Sequence, residues 1–422
     1  MDFMEAEGDI RLLELMWQLG IAADRDFISF SGQRVSVVYC GEYQSEMHSA
    51  TGAEVIIDGV VSRGDVIFGD SEDLFDRAVL RVVSHPCVPT HDSRGNRICQ
   101  ICIEVDDLIR ERYEALTLGA AEAECAEMIA RMDDVHRTGF YTGLTLERMR
   151  RKSGEIKAMY AASDYDWAQT LYVMMMRSLG DNKNKEPFAE IARRVPFVML
   201  MREKSSVRAV ESLLMGMSGL LLEYDVDDYV MSMASDFEYL CHKYSLRPLK
   251  AAEWTLGRVN PQNHPIMRLA EFAALVCSRG FVFSAVLECR TAADVLRILS
   301  AEASDYWQTH FLPGRESRYT RKKIGADKAY LMGINLIAPF LFAYADERGD
   351  EQGRVRALEL LETMPAENNA ITKKWSGMGV VMQNAFDSQA VLQLNNELCG
   401  NKLCGECFLG RSQIKKSMPS LR

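Results

Sequence analysis

The chain has 422 residues, of which 48% are hydrophobic and 26% charged, a composition typical of globular proteins with two or three domains. Its formal net charge of -11 disfavours a surface dedicated to duplex DNA, because such a surface needs a strong positive field. The N-terminus is acidic where a secretion signal is basic, so we expect the eleven cysteines to be reduced thiols in the cytoplasm.

The first quarter of the chain is predicted to form a small mixed or antiparallel sheet with one flanking helix. Apolar residues at helical spacing place that helix at Asp9–Leu19. Short β-branched runs between glycine or polar turns predict the strands. These runs are Val35–Cys40, Ala53–Val61, Asp65–Phe68, Ala78–His85 and Ile98–Val105. The sequence PTHDSRGN between the last two runs predicts a hairpin loop.

From Asp106 onwards the apolar residues recur at helical spacing, which predicts a large all-α domain. Its longest apolar run, Tyr330–Ala345, is too short to span a membrane and contains Asn335 and Pro339, so a buried helix is predicted. The predicted fold class is therefore α+β. The predicted domains are an α/β sheet domain at 1–115, a helical domain at 116–398 and a cysteine-rich tail at 399–422.

Three cysteines near the C-terminus form a compact cluster, Cys399, Cys404 and Cys407, with C-x4-C-x2-C spacing. Thiolates repel one another unless a cation neutralises them, so the spacing suggests a zinc site with one further ligand. It also fits plant-type iron–sulfur ligation, and three reduced thiols at a terminus are the alternative. The fourth ligand must lie upstream. The candidates are Cys125, Cys289, His310 and the pair Cys99 and Cys102, whose strand context places their side chains on opposite faces.

Several segments together resemble a bacterial family, domain-of-unknown-function family 2851. They are Arg247–Ala273, Asp305–Phe311, Asn335–Ala345, Pro365–Asn369 with Trp375, Ser388–Leu394 and the cysteine tail. The family carries an upstream cysteine near Cys125. The resemblance therefore implies a metal site on Cys125, Cys399, Cys404 and Cys407.

The N-terminal part of that family typically carries an Asp followed at strand spacing by Glu-x-His, which is similar to the metal-binding hairpin of restriction-endonuclease-like nucleases. Here the pattern is lost. Alignment places Ser49 at the family's Asp position, Ile67 at its Glu position and Gly69 at its His position. Arg81 stands at the position of a later histidine, and Asp70–Phe75 replaces a His-rich stretch. An isoleucine cannot bind a hard cation, so the resemblance implies a degenerate nuclease-like domain. Nearby carboxylates that could compensate are Glu46, Glu54, Asp58 and Asp65.

A basic segment, Arg315–Gly325, is a candidate contact for phosphate or a single strand, with its aromatic residue available for stacking. The alternative is a solvated connector. The candidate contact residues are Arg318, Tyr319, Arg321, Lys322 and Lys323.

No nucleophile elbow, phosphate-binding loop, dinucleotide fingerprint or H-E-x-x-H motif occurs in the sequence. Two functional hypotheses follow. The first is a non-catalytic binding or scaffold protein, with single-stranded nucleic acid or a protein as its partner and no membrane. The second is a metal-dependent nuclease, or another enzyme acting on nucleic acid, that uses displaced carboxylates.

Overall fold

The computed structural model describes residues 3–23, 25–44, 48–69, 76–119, 122–180, 182–257, 259–279 and 282–417. The chain divides into two compact units. Unit 1 comprises Met1–Arg131 and Asn395–Arg422, and unit 2 comprises Met132–Leu394. A mixed sheet followed by many helices confirms the α+β class.

The division differs from the predicted domains in two places. The chain between residue 116 and Arg131 belongs with the sheet, and so does the tail that was predicted as a separate segment. The reason is packing, because the last helix of the chain contacts the two helices that follow the sheet. Unit 1 is thus built from both ends of the chain, and unit 2 is inserted between them.

Unit 1 begins with one helix, a seven-stranded sheet and two further helices. The elements are α1 (Phe3–Gln18), β1 (Asp26–Ile28), β2 (Arg34–Tyr39), β3 (Glu42–Gln44), β4 (Ser49–Ile57), β5 (Val60–Phe68), β6 (Ala78–Val83), β7 (Cys99–Cys102), α2 (Asp107–Thr117) and α3 (Glu122–Arg131). The strand order is β1-β2-β4-β5-β6-β7, with β3 also paired to β4. Pairing is antiparallel as far as β5 and parallel from β5 to β7.

Two predictions about the sheet were wrong. Ala53–Val61 was predicted as one strand, but it turns at Asp58 and Gly59, whose φ angles of 50° and 82° fit a two-residue hairpin turn. The Asp-Gly pair is the sequence signal for that turn. PTHDSRGN was predicted as a hairpin loop between the last two strands, but β6 and β7 run parallel, so it does not connect them as a hairpin. The segment does fold back on itself, with an antiparallel bridge between His91 and Arg97. In this local turn the Asp92 carboxylate accepts from the backbone N–H groups of Arg94 and Asn96.

The core of unit 1 lies between α1 and the sheet. Leu13 and Trp17 of α1 and Phe68 of β5 are almost fully buried. The Trp17 and Phe68 rings meet edge to face at 5.8 Å, and the Trp17 indole donates to the Cys40 carbonyl at 2.8 Å. Each such side chain contributes roughly 2–3 kcal/mol through apolar burial. α1 is therefore fixed on the sheet.

Unit 2 is helical apart from one two-stranded hairpin. Its elements are α4 (Asp134–Ala162), α5 (Trp167–Leu179), α6 (Lys185–Arg194), α7 (Phe197–Glu203), α8 (Val207–Ser218), α9 (Asp228–Tyr244), α10 (Pro265–Arg279), α11 (Val282–Leu287), α12 (Ala292–Leu299), α13 (Asp305–Gln308), β8 (His310–Leu312), β9 (Arg315–Glu316), α14 (Ala326–Met332), α15 (Ala338–Glu347), α16 (Glu351–Glu362), α17 (Ala370–Gly377) and α18 (Ala385–Gln393). The final helix, α19 (Phe408–Ser417), belongs to unit 1.

The predicted apolar helix of unit 2 runs through α14, a π-helical turn at Gly333–Ile337 and α15. Within the described residues this stretch, Ala326–Glu347, is the one helix whose length and apolar composition would allow it to cross a membrane. Of its most apolar window, 67% is buried inside the protein. That burial is what a core helix shows, in line with the predicted buried helix.

Candidate functional site

The four cysteines assigned to one metal site all lie in unit 1, on three short segments. Cys125 belongs to α3, Cys399 ends the π-helical turn Leu394–Cys399, and Cys404 and Cys407 lie in the turns that lead into α19. Because α19 packs on α2 and α3, the end of the chain is held beside the segment that carries Cys125.

The backbone of this region requires a glycine. A side chain at Gly410 would place its Cβ only 2.1 Å from the Cys404 carbonyl oxygen, so a larger residue would push α19 away from the cysteine loop. Side-chain contacts hold the same arrangement, since the Gln413 amide donates to the Cys125 sulfur at 3.3 Å and the Arg112 guanidinium donates to Gln413. α19 and the cysteine loop are thus positioned together.

The thiols act on one another electrostatically. Burial raises the pKa of Cys125 to about 12, and the Cys407 and Cys404 thiols add to the rise. Burial also raises the pKa of Cys399 to about 12, with contributions from the other three cysteines. The pKa of Cys404 is raised by burial and then by Cys407. Four sulfur atoms from distant parts of the sequence are therefore close together, and none of the four forms a disulfide bond.

Sulfur ligands of this number and type suit zinc, which binds four thiolates tetrahedrally. Among the described residues, however, no three Cys, His, Asp or Glu side chains are arranged so that they could hold a metal ion as they stand. The four thiols are neighbours whose side chains would have to turn towards a common centre. Cys125 and Cys399 fit that description, because burial and the neighbouring thiols raise their pKa to about 12 and so keep them protonated at neutral pH.

The other candidates for the fourth ligand lie elsewhere. Cys99 and Cys102 are on β7, where an odd separation places their side chains on opposite faces. Cys289 and His310 belong to unit 2. There Cys289 is buried, and the His310 ring stacks on that of Tyr306 at 4.0 Å while its Nδ1 bonds to the Tyr306 carbonyl at 2.9 Å.

The positions that the resemblance assigns to a nuclease hairpin meet on β4 and β5. Ser49 and Ile67 face each other across the antiparallel pair, and both are buried. The Gly69 carbonyl accepts from Nε of the buried Arg81 at 2.8 Å, and Arg81 also donates to Thr90. The two positions therefore face each other on adjacent strands, but they carry a hydroxyl and an alkyl group instead of carboxylates.

The carboxylates proposed as substitutes have separate structural partners. Glu54 pairs with the arginine opposite it on β5 at 2.9 Å. Asp58 accepts from the first backbone N–H of β2 at 2.8 Å, and Asp65 accepts from a backbone N–H of β4 at 3.4 Å. Glu46 and the segment Asp70–Phe75 lie outside the described residues. The three described carboxylates each serve a different local contact.

An open cleft of about 640 Å³ lies in unit 1, beside the loop that carries Cys404. Glu14 of α1 is buried on one side of it, with 5% of its side chain exposed, and accepts from the Tyr43 hydroxyl at 2.6 Å and from Nδ1 of His48 at 2.6 Å. His48, with 48% of its side chain exposed, has a φ of 45°. A buried carboxylate thus orients an imidazole at the cleft.

Sequence reasoning missed this Glu14–His48 pair. A signal was available for one member, because Glu14 occupies the apolar stripe of α1 between Leu13 and Trp17, where a carboxylate needs a buried partner. No local pattern pointed to His48 as that partner. The two residues are 34 positions apart and meet only through the packing of α1 on the sheet.

In the basic segment of unit 2, the structure exposes four of the five predicted contact residues and buries one. Lys322 is buried, and its Nζ donates to the Gln308 carbonyl at 3.0 Å and lies 4.0 Å above the Phe311 ring. Burial lowers its pKa. Lys322 therefore does not face solvent, whereas Arg321 forms a surface ion pair with Glu302 at 3.3 Å. The exposed residues are Arg318, Tyr319, Arg321 and Lys323.

Comparison with known proteins gives one match. The family described as "Protein of unknown function (DUF2851)" matches residues 11–370, which are most of the chain. The matched range includes Cys125 and the hairpin β4–β5 and ends before the three C-terminal cysteines. No curated protein and no solved structure matches the chain.

Proposed function

The chain belongs to the DUF2851 family, and we propose that it is a non-catalytic binding or scaffold protein whose unit 1 is closed by a zinc ion on Cys125, Cys399, Cys404 and Cys407. The observation that carries the proposal is that α19 packs on α3, with Gln413 donating to the Cys125 sulfur, so that this thiol lies beside the three tail thiols. The neighbouring thiols accordingly help to raise the pKa of Cys125 and Cys399. Buried thiols crowded in this way favour a bound cation, since zinc would convert repelling thiolates into ligands.

Zinc at this position would act structurally. It would join α3, where the chain leaves unit 1, to the segment where the chain returns, and so would link parts of unit 1 that lie on either side of unit 2 in sequence. A single ion with four sulfur ligands needs no further component, whereas an iron–sulfur cluster on the same residues also needs inorganic sulfide. We therefore favour zinc, with a cluster as the alternative.

Metal analysis tests the thiol site. We expect about one zinc per chain in protein purified without metal-affinity steps, and four more titratable thiols after treatment with a chelator under native conditions. Cys125→Ser should lose the zinc. Cys241→Ser is the matched control, since Cys241 belongs to unit 2 and donates to the Leu246 carbonyl at 3.3 Å, a bond that serine retains. Protein with neither zinc nor iron, and with all thiols equally reactive, would overturn the proposal; iron with labile sulfide would favour the cluster.

The non-catalytic part of the proposal rests on Ser49 and Ile67, which occupy facing strand positions where a nuclease-like hairpin needs carboxylates. Magnesium- or manganese-dependent cleavage of single- and double-stranded DNA and RNA is the direct test. We expect none. Cleavage that persists when Glu46, Glu54, Asp58 and Asp65 are all replaced by the corresponding amides would come from a contaminant, whereas cleavage lost in any of the single variants would establish the alternative, a metal-dependent nuclease.

A single-stranded nucleic acid is the partner that the exposed cations Arg318 and Lys323, with Tyr319 beside them, support best. Binding to a labelled oligonucleotide at low salt should weaken about tenfold in Arg318→Glu/Lys323→Glu. A matched control reverses two exposed cations of unit 1, in Arg63→Glu/Arg94→Glu, and should bind as the parent does. Absence of binding at low salt would remove nucleic acid and leave a protein as the partner.

A further inference from the structure

The cleft of unit 1 is formed by parts of the chain that are distant in sequence. Its lining comes from α1, from β3 and the residue before β4, from α2, and from the tail loop, which we define as residues 401–406. Gly405 packs the tail loop against both helices, since a Cβ there would lie 3.7 Å from Leu15 of α1 and 3.7 Å from Tyr113 of α2. A volume of about 640 Å³ is within the range of small-molecule sites.

His48 is positioned at this cleft by two features that are unfavourable in themselves. Its φ of 45° lies in the left-handed region, where residues other than glycine are uncommon. Its Nδ1 donates at 2.6 Å to Glu14, a buried carboxylate with 5% of its side chain exposed. Backbone strain of this kind clusters at functional sites. The other ring nitrogen, Nε2, has no hydrogen bond within the described residues and is left for a ligand.

Charged side chains of both signs line the same cleft. Arg11 and Lys402 are cationic and Glu406 is anionic, whereas both oxygens of Glu14 are already engaged. Lys402 also has a positive φ, of 58°, and its side chain is exposed on the tail loop. Burial raises the pKa of Tyr113, while Arg11 opposes this rise and Glu406 adds to it. Groups of opposite charge are therefore close enough to act on one phenol ring of the cleft.

We propose that this cleft is a binding site for a nucleoside monophosphate. The phosphate is held by Arg11 and Lys402, which donate charge-assisted hydrogen bonds to its oxygens. Nε2 of His48 adds a third donor when it is protonated. The ribose hydroxyls donate to Glu406, as they do to a carboxylate in dinucleotide-binding proteins. The half-buried ring of Tyr113 packs against the base.

The charges of the cleft decide between classes of ligand. A metal ion would be repelled by both cations, and a simple anion would leave Glu406 facing a like charge. A nucleoside monophosphate carries an anionic end and a pair of hydroxyl donors, so it matches groups of both signs. The proposal is separate from that of a zinc site, and the two are tested by different measurements, ligand binding and metal content.

Isothermal titration calorimetry of the full chain tests the proposal, with adenosine monophosphate as the probe. We expect saturable binding. Adenosine, which lacks the phosphate, and inorganic phosphate, which lacks the nucleoside, should each bind at least about tenfold more weakly, because each loses one set of contacts. Phenylalanine, a zwitterion with an aromatic ring, should not compete. Absence of binding at millimolar adenosine monophosphate, equal binding of either fragment, or competition by phenylalanine would overturn the proposal.

Variants of exposed residues locate the binding. Lys402→Glu should weaken binding of adenosine monophosphate about tenfold and leave that of adenosine unchanged, because it acts on the phosphate. Glu406→Ala should remove most of the preference for the ribose over the deoxyribose form of the nucleotide. Lys416→Glu, on α19 and outside the cleft, is the matched control and should bind as the parent does. Equal affinities of Lys402→Glu and Lys416→Glu would overturn the proposed location.

His48→Gln tests the strained histidine. Glutamine retains a donor for the buried Glu14 but removes the imidazole, so binding of adenosine monophosphate should weaken several-fold while circular dichroism stays unchanged. Unchanged affinity in this variant would overturn the role of Nε2.

A free nucleotide and the phosphorylated end of a single strand present the same chemistry to the cleft. Two short oligonucleotides, one with a terminal phosphate and one with a terminal hydroxyl, distinguish these sources. Displacement of adenosine monophosphate by the phosphorylated strand alone assigns the strand end, and displacement by neither strand assigns the free nucleotide. Equal displacement by both strands would overturn recognition of the phosphate.

Discussion

In unit 1 three of the four clustered thiols lie on one short stretch of chain before α19, whereas the polar network of unit 2 is assembled from α4, α18, the π-helical turn Gly333–Ile337 and a loop. Three of the four thiols occur within nine residues of one another, at Cys399, Cys404 and Cys407. In unit 2, one hydrogen-bonded network has no two members closer than four positions in sequence; its members are Arg148, Lys152, Asn335, Glu367 and Gln389. A cluster whose residues are close together in the sequence can be recognised from the sequence. A cluster whose residues come from separate helices can be recognised only once the packing of those helices is known.

The units also differ in how polar groups are stabilised. Unit 1 has a small sheet core, and we propose that zinc supplements it. Unit 2 buries many apolar side chains and encloses polar groups within hydrogen-bond networks, as with Glu211, which is fully buried and accepts from Tyr229 at 2.7 Å and Ser304 at 2.8 Å. The comparison therefore predicts that the two units respond to different perturbations.

The largest expected effect is the loss of the thiol site. Cys125→Ser should lower the free energy of unfolding of unit 1 by at least about 3 kcal/mol, because metal binding at a structural site contributes directly to folding. Calorimetry should show the transition of unit 1 moving to lower temperature, both in the variant and in parent protein treated with a chelator. The transition of unit 2 should not move. Equal shifts of both transitions would contradict the separation of the units.

A pH effect is expected in unit 2. Burial lowers the pKa of His264 from 6.5 to about 4. Its Nδ1 accepts from the Ile266 N–H at 3.3 Å, so Nε2 carries the proton and donates to the Tyr224 hydroxyl at 2.9 Å. As pH falls from 6.5 to 4, the unfolded chain takes up a proton that the folded chain does not, and stability is lost.

The difference in free energy of unfolding between the parent protein and His264→Gln isolates this effect from the carboxylates, which titrate in the same pH range. This difference should fall by about 2–3 kcal/mol as the pH is lowered from 7 to 4. Denaturant unfolding at several pH values measures it. A constant difference across that range would show that His264 is not held neutral.

A smaller effect is expected at the cleft of unit 1. Tyr43→Phe removes the hydroxyl that donates to the buried Glu14 at 2.6 Å, which should cost about 1–2 kcal/mol. Tyr39→Phe, on the neighbouring strand β2 and half exposed, is the control and should be within about 0.5 kcal/mol of the parent. Equal stabilities of the two variants would mean that the hydrogen bond from Tyr43 does not stabilise the buried Glu14 carboxylate.

The smallest effects come from the backbone and have opposite signs in the two units. Gly139 lies inside α4, and a Cβ there would meet no atom within 4 Å, so Gly139→Ala should stabilise unit 2 by about 0.5–1 kcal/mol. Gly59 has a φ of +82° in the hairpin turn, so Gly59→Ala should destabilise unit 1 by about 1 kcal/mol. Effects of the same sign would contradict the conformations assigned to these two glycines.

Much of the fold could be predicted because it depends on local patterns. The α+β class and the helical character of unit 2 follow from apolar periodicity, and the apolar run Tyr330–Ala345 was predicted as a buried helix. The parallel pairing of β6 with β7 could not be predicted, because strand direction depends on how the connection folds back onto the sheet. The tail was assigned to a separate segment because its contacts with α2 and α3 have no local signal.

The sequence alone determined that three thiols lie close together in the tail, and that the Ile67 side chain cannot bind a hard cation, because both conclusions depend on residue type and short spacing. Only the tertiary structure placed Cys125 beside the tail thiols, brought Glu14 to His48, and joined Lys152 to Asn335. The physical reason is distance along the chain. Solvation and charge at a side chain are set by whatever packs around it, and in each case the decisive neighbours are remote in sequence.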